Sequence, residues 1–398
     1  MNTLLVYGVN NSMTINFYNA VVQNNINDIG AWLHDILVSS QKNNYASGNI
    51  WHNQIAYFLI NNENYFSLAC ERRKAPSGSV KSLVLHDLDI IRRFFQLEHD
   101  SLAYMRNFRG NGSENKLICD LAKKLASSRS LEDMYKSITK FYELHGLALF
   151  AFNRAFRLSG ADLIPADNVG NVRLDDLVGY ELQKQELVAN TEAFVSGLPA
   201  NNVLLYGDGG TGKSTSVRAV LNEFAPRGLR VIELYKEQFR DILRLTEILR
   251  KRNYKFIIFI DDLSFEENES EYKYLKAVIE GGIESRPDNV LIYATSNRRH
   301  IIREVWSDRD DMEHNGDIHR SDTVEEKLSL ASRFGVAINY SSPTRQAYHD
   351  IVRTLAESEG LNVGDDELIA GADRWEIRHG GKTGRAARQY IDYLLGRK

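Results

Sequence analysis

Apolar residues recur every three or four positions through the first part of the chain. In residues 16–41 they are Phe17, Val21, Val22, Ile26, Ile29, Trp32, Leu33, Ile36 and Leu37. The same spacing returns in residues 87–108 and 131–156. An apolar stripe with a period of about 3.6 residues is typical of an amphipathic helix. The pattern predicts an all-helical N-terminal domain over residues 1–160.

Asparagine is frequent in residues 1–64, where it lies between the apolar positions. Because aliphatic and aromatic residues still supply a core, we interpret this as a compositional bias and not as a prion-like tract. The N-terminal domain is therefore expected to fold.

The pattern changes after residue 160. Residues 161–176 combine Gly, Pro, Asp and Asn, which is typical of a linker. Short apolar runs follow at Val203–Tyr206, Arg230–Leu234, Phe256–Ile260, Val290–Thr295 and Val336–Ile338. Helical patterns begin between them near Lys213, Glu237, Tyr272, Arg299 and Thr323. This alternation predicts a parallel sheet covered by helices over residues 177–341. Residues 342–398 have helical patterns alone and predict a small helical lid.

Composition narrows the class of protein. A chain of 398 residues has room for two domains. The net charge of −4 gives no global basic field for nucleic acid. Cys70 and Cys119 lie far apart, which argues against a disulfide framework or a zinc site. No signal peptide and no run of about 20 apolar residues is present, so we expect a soluble cytoplasmic protein without a membrane partner.

Residues 207–214 have the sequence G-D-G-G-T-G-K-S and fit the G-x-x-x-x-G-K-[ST] pattern. Glycines allow backbone N–H groups to surround a phosphate, and the helix that follows directs its positive end at the same anion. Lys213 would neutralise the β and γ oxygens, and Ser214 would complete a magnesium shell. The predicted ATP-binding residues are Gly207, Asp208, Gly209, Gly210, Thr211, Gly212, Lys213, Ser214 and Thr215.

In FIIFIDDLS, residues 256–264, two aspartates follow an apolar run. The carboxyl end of a parallel strand opens onto the ligand crevice. Asp261 is therefore predicted to hold Mg²⁺ through its water, and Asp262 to orient and deprotonate the attacking water. Enzymes of this plan usually carry glutamate at the second acid. Glu266 and Glu267 are alternative bases, although such a charge run is more often a solvated helix start.

The order of these motifs resembles that of AAA+ ATPases over residues 174–395. The segment LDDLVGYELQKQEL resembles the wall that holds adenine, which the resemblance assigns to Val178, Gly179 and Tyr180. LIYATSN resembles the sensor 1 strand, so Asn297 would contact the attacking water or the γ-phosphate. The resemblance implies a sheet of strand order 5-1-4-3-2 with a helical lid.

Three arginines also take roles from this resemblance. EEKLSLASRFG resembles the segment of the arginine finger and nominates Arg333, which would act in trans within a ring of copies. GGKTGRAARQYIDYL resembles the sensor 2 helix, where both Arg385 and Arg388 fit and Arg385 is preferred. Each arginine is also compatible with an ordinary surface or lid salt bridge.

A closer resemblance is to a bacterial family of P-loop proteins catalogued as domain of unknown function 815. It is carried by VLLYGDGGTGKSTSVRAVLNEF, FIIFIDDLSFE, LKAVIEGGIE and ATSNRRHIIRE. This family implies an ATPase core without a defined cellular role.

The sequence thus predicts an AAA+ ATPase that uses ATP and Mg²⁺ to drive conformational work on a protein or nucleic-acid partner through its N-terminal domain. The alternative is a nucleotide-gated binding or loading module with very slow hydrolysis, which the Asp-for-Glu choice favours. A P-loop kinase is a third reading, but it has no use for sensor and finger segments.

Overall fold

The structure is a computed structural model. It describes residues 4–8, 12–109, 114–160, 162–166, 169–265, 271–280, 287–297 and 332–397. The chain divides into two compact units, Met1–Asn153 and Arg154–Lys398. None of the described helices combines the length and the apolar character that crossing a membrane takes.

The first unit is built mainly from helices. They are α1 Met13–Val22, α2 Ile26–Lys42, α3 Ile50–Asn61, α4 Tyr65–Glu71, α5 Gly78–Phe95, α6 Lys116–Ala126, α7 Leu131–His145 and α8 Ala148–Phe152. Trp51 is central to their core: its Nε1 donates to Phe94 O at 2.7 Å, and its ring centroid lies 4.9 Å from that of Phe17. The expected all-helical domain needs one correction, because β1 Ser47–Gly48 pairs with β2 Phe108–Arg109.

Several asparagines of the first unit have structural roles, although their frequency was interpreted from the sequence as a compositional bias. The side chains of Asn25, Asn49 and Asn64 accept the backbone N–H three residues on and cap α2, α3 and α4. Asn24 and Asn44 have φ values of 54° and 56°. Asparagine tolerates this left-handed region better than most residues, so helix starts and tight turns account for these five asparagines.

The second unit contains a seven-stranded sheet. Its strands are β3 Ala155–Ser159, β4 Asp162–Pro165, β5 Val203–Gly207, β6 Leu229–Glu233, β7 Lys255–Ile260, β8 Val290–Ser296 and β9 Val336–Tyr340. They lie in the order β4-β3-β6-β7-β8-β5-β9. With β5 counted as strand 1, the five strands β5 to β9 are parallel and lie in the order 5-1-4-3-2.

The sheet begins earlier in the chain than the sequence analysis expected. The boundary between the units follows Asn153, and the stretch treated as domain end and linker forms the antiparallel β3–β4 hairpin. β3 also pairs in parallel with β6. Phe156 and Leu158 alternate with exposed residues on β3, the period-2 pattern of a strand. Because the alternation lasts only four residues and follows a helical pattern, it is too short to distinguish the strand period of 2 residues from the helix period of about 3.6 residues.

Helices cover the sheet and follow it. They are α9 Glu181–Val195, α10 Lys213–Phe224, α11 Ile242–Arg250 and α12 Tyr272–Glu280, and then α13 Arg345–Ser358, α14 Asp365–Arg378 and α15 Gly384–Leu395 in the lid. The helix expected near Glu237 is a 3-10 turn, Lys236–Asp241, before α11. The helices predicted near Arg299 and Thr323 lie outside the described residues.

Burial explains why the central strands are continuous apolar runs. All seven residues of β8 and the last five of β7 are buried. Helices on both faces of a parallel sheet remove both sides of each strand from water. The carboxyl ends of β5, β7, β8 and β9 therefore meet at one edge of the sheet, where polar residues follow each strand.

Candidate functional site

The loop from Gly207 to Lys213 joins β5 to α10 in a shape that requires glycine. Gly207 has φ +131°, and a Cβ there would lie 2.3 Å from Tyr340 O. Gly210 has φ +76°, and a Cβ there would lie 3.2 Å from Arg385 Cβ. The loop is therefore pressed between the end of β9 and the first turn of lid helix α15.

The Lys213 side chain turns back into this loop. It is buried, and its Nζ donates to Gly207 O at 3.0 Å and to Asp208 O at 2.6 Å. Burial lowers the pKa of the ammonium from its ordinary value, and the carboxylates of Asp208, Asp261 and Asp262 oppose that shift. The ammonium thus lies against two carbonyls of the loop, a position from which it could bond an incoming phosphate.

Asp261 is directly linked to the start of α10. Ser214 Oγ donates to Asp261 Oδ1 at 2.6 Å, and Thr295 Oγ1 donates to the same oxygen at 2.5 Å. Asp261 Oδ2 receives no hydrogen bond from the residues that the structure describes. Asp261 and Ser214, the two predicted metal ligands, are therefore in direct contact.

This arrangement fits Mg²⁺. The Ser214 hydroxyl uses its proton toward Asp261, so its oxygen lone pairs stay available as ligands, and the exposed carboxylate supplies a second hard oxygen. Mg²⁺ prefers few protein oxygens together with phosphate oxygens and water. Ser214 and Asp261 are the residues that would hold it.

Asp262 has an unusual backbone. Its φ is +54°, in the left-handed region. Asp is several-fold enriched in that region relative to longer side chains, which gives a physical reason for aspartate where glutamate is usual. Asn297 Nδ2 donates to Asp262 Oδ1 at 3.0 Å. The sensor candidate and the base candidate therefore meet directly.

The predicted adenine wall lies between the sheet and the lid. Tyr180 stacks on Tyr340 with centroids 5.1 Å apart, and its hydroxyl donates to Ser341 O at 2.9 Å. Burial raises the pKa of Tyr180 to about 12, with smaller contributions from Asp208 and Tyr340. Val178 packs against the apolar core of the lid, and Gly179 has φ +80°.

Asp208 connects the loop to the root of the lid. Its Oδ2 accepts from both the backbone N and the Oγ of Ser342, each at 2.8 Å. Its backbone N donates to Tyr340 O at 3.1 Å. Because Ser342 lies between β9 and α13, these bonds join the phosphate loop to the segment that enters the lid.

The two sensor 2 candidates lie in different surroundings. Arg385 N donates to Gly210 O at 3.2 Å, and no described side chain pairs with its exposed guanidinium. Arg388 Nη1 instead donates to Glu359 Oε1 at 2.6 Å within the lid. The structure thus brings Arg385 to the phosphate loop and ties Arg388 into a lid ion pair.

The remaining predicted residues differ in how the structure places them. Thr215 lies half-buried in the first turn of α10, and Thr211 Oγ1 donates to Asp208 O at 2.8 Å. Arg333 is half-buried just before β9. Glu266 and Glu267 lie outside the described residues.

Sequence reasoning missed Thr295 and Ser342. Thr295 had a signal, because in a strand it shares a face with Asn297, two residues on. Ser342 had none, since only the register of β9 beside β5 brings it to Asp208. The lid residue Thr383 was also missed: its Oγ1 lies 3.2 Å from a Cβ built on Gly210.

Related proteins show the family to which this chain is similar. The model of the family described as "Protein of unknown function (DUF815)" matches residues 148–398. The ATP-dependent zinc metalloprotease FtsH 2 of Salinibacter ruber is 27% identical over 268 residues, which cover 59% of this chain and 37% of that protein. These matches confirm the resemblance to AAA+ ATPases and to the DUF815 family that the motifs indicated.

Two further similarities are more limited. The 26S proteasome regulatory subunit 4 homolog of Saccharomyces cerevisiae is 26% identical over 206 residues, which cover 44% of this chain and 47% of that protein. The structure of C. elegans PCH-2 is 15% identical with a TM-score of 0.41, and the match covers 61% of this chain and 69% of that one. The chain matches less than half the length of either curated relative.

Proposed function

The chain belongs to the DUF815 family, and from that premise we propose that it is an AAA+ ATPase that hydrolyses ATP with Mg²⁺. The energy would drive conformational work on a protein or nucleic-acid partner through the N-terminal unit. The observation that carries this proposal is a pair of contacts at one edge of the sheet. Ser214 bonds Asp261 at 2.6 Å, and Asn297 bonds Asp262 at 3.0 Å.

Each residue of this edge has a separate task in the proposed reaction. Lys213 leaves the carbonyls of Gly207 and Asp208 and bonds the β and γ oxygens. Asp262 accepts a proton from the attacking water, and Asn297 holds that carboxylate in place. Mg²⁺, when bound, supplies neutralisation of phosphate charge.

The elements around the phosphate loop would contact the adenine and the γ-phosphate. Val178, Gly179 and Tyr180 bound the adenine between sheet and lid. Arg385 would approach the γ-phosphate from α15, since its backbone already lies on the loop. Lid position would therefore depend on which nucleotide is present.

The test is phosphate release from ATP by the full chain. We expect steady release that needs Mg²⁺ and stops when the metal is chelated. An absence of both release and ATP binding in the presence of Mg²⁺ would refute the proposed ATPase.

A second candidate function is a nucleotide-gated binding or loading module with very slow hydrolysis. It is favoured by Asp262, because the aspartate side chain is one methylene shorter than that of glutamate. One of its carboxylate oxygens also accepts a hydrogen bond from Asn297. This candidate predicts that purified protein retains one nucleotide per chain and turns over far less than once a minute. Quantifying the nucleotide that stays with the protein separates the two functions. Label transfer from ATP to a small acceptor would instead indicate a kinase.

The two lid arginines give a matched pair of variants. Arg385→Ala is expected to lower the rate of hydrolysis about tenfold, the effect of losing about 1.4 kcal/mol of charge stabilisation. Arg388→Ala removes an exposed ion pair worth about 0–1 kcal/mol to folding and is expected to leave the rate nearly unchanged. Steady-state rates and melting temperatures of both variants measure this. A larger rate loss in Arg388→Ala would reverse the assignment.

Arg333 tests whether the chain acts as an oligomer. If this side chain completes the site of a neighbouring copy, activity per chain rises with protein concentration in the wild type. Arg333→Ala is expected to remove that rise, while ATP binding persists. Rates measured across a dilution series provide the check, and an activity per chain that is flat in the wild type contradicts action in trans.

A further inference from the structure

Thr295 lies at the meeting point of both acids, although the proposed reaction gives it no role. It is a buried residue near the end of β8. Its Oγ1 donates to Asp261 Oδ1 at 2.5 Å, and Asp262 N donates to that Oγ1 at 2.9 Å. One hydroxyl thus contacts the metal-binding candidate by its proton and the base candidate by its lone pair.

A second bond closes the turn around these contacts. Leu263 N donates to Thr295 O at 2.7 Å. The backbone after β7 is thereby fastened to β8 at the two residues that follow Asp261. These bonds matter because Asp262 has φ +54°, a conformation that costs free energy and persists only where its surroundings impose it.

The orientation of Asp261 depends on the same hydroxyl. Oδ1 receives protons from both Ser214 and Thr295. These two hydrogen bonds restrict the rotation of the carboxylate. Oδ2 accepts no hydrogen bond from the described residues and is available to a metal ion. Groups that orient a ligand carboxylate in this way typically change metal affinity about 10–100-fold when they are lost.

We propose that Thr295 is a positioning residue that orients Asp261 for Mg²⁺ and holds Asp262 in its left-handed conformation. The inference rests on the proposed ATP·Mg²⁺ site and extends it to a residue that contacts neither nucleotide nor metal. It assigns the work to the hydroxyl and not to the methyl group of the side chain.

The experiment compares Thr295→Val with Thr295→Ser. Valine keeps the shape and removes the hydroxyl, whereas serine keeps the hydroxyl. Calorimetry measures ATP affinity with Mg²⁺ and with chelator, and paramagnetic resonance of Mn²⁺ measures metal occupancy directly. We expect valine to lose about tenfold in metal-dependent affinity, with metal-free ATP binding unchanged, and serine to retain it.

The outcomes separate this inference from the proposed function. Wild-type protein that binds no ATP under either condition overturns both. Wild-type protein that binds ATP·Mg²⁺ while valine matches it overturns the role of Thr295 alone, as does a serine variant that also loses metal affinity. Thr295→Ala replaces valine if valine lowers the melting temperature strongly. In an Asp261→Asn background, the valine change is expected to add no further loss of metal affinity.

Discussion

Lys213→Ala is expected to weaken binding of ATP·Mg²⁺ about 100-fold. The ammonium is buried and would exchange two backbone carbonyls for charged phosphate oxygens. Two charge-assisted hydrogen bonds of about 1.5 kcal/mol each amount to about 3 kcal/mol, which corresponds to that loss of affinity. Calorimetry at a fixed Mg²⁺ concentration measures it.

Lys255→Ala is the matched control. Lys255 begins β7, at the opposite end of the sheet from the acids, and its Nζ also donates to a backbone carbonyl, Asp288 O at 3.1 Å. Burial lowers the pKa of this ammonium as well. The control is therefore expected to retain ATP affinity. If the folded Lys213→Ala variant bound ATP·Mg²⁺ as tightly as the wild type, the assignment of Lys213 to phosphate binding would be wrong.

Asp262→Asn is expected to stop hydrolysis while ATP binding persists. A positioned base contributes about 10²–10⁴-fold to rate, and the amide cannot accept the proton. Asparagine tolerates φ +54° as well as aspartate does, so the backbone is expected to keep its conformation. Single-turnover phosphate release measures the chemical step, and calorimetry measures binding.

The carboxylate of Asp288 supplies the control for this change. It is exposed before β8, at the far end of the sheet, and Asp288→Asn is expected to leave the rate unchanged. A wild type that already turns over far less than once a minute, with no further loss in Asp262→Asn, would favour the gated module. A wild type with rapid turnover and an equally rapid asparagine variant would show that Asp262 is not the base.

The same Asp262→Asn protein should trap the partner. Because it would bind ATP without turning over, it is expected to hold the ATP-bound conformation of the lid. Affinity capture with and without ATP, compared with Lys213→Ala, would distinguish ATP-dependent partners from adventitious ones.

Local patterning accounts for the parts of the fold that the sequence predicted. The apolar runs of β5 to β8 are buried along nearly their whole length, so their hydrophobic pattern was unambiguous. The phosphate loop was recognisable because glycine, lysine and serine at fixed spacing serve one local shape. Helix α10 begins at Lys213, as that spacing requires.

The β3–β4 hairpin and the contacts of the lid could not be predicted from the local hydrophobic pattern. β3 is too short for its period to stand out, and its pairing with β6 joins segments far apart in the chain. The choice between Arg385 and Arg388 depended on how α15 meets the loop, since both residues fit the motif.

The sequence by itself determined that a phosphate loop follows one buried strand and that two acids follow another, because each motif is a local requirement of chain geometry. Only the tertiary structure decided which side chains meet there. Strand register brings Thr295 to both acids and Ser342 to Asp208, and Asp262 has a left-handed backbone beside Thr295. These contacts depend on neighbours distant along the chain, and a linear pattern carries no information about their distances.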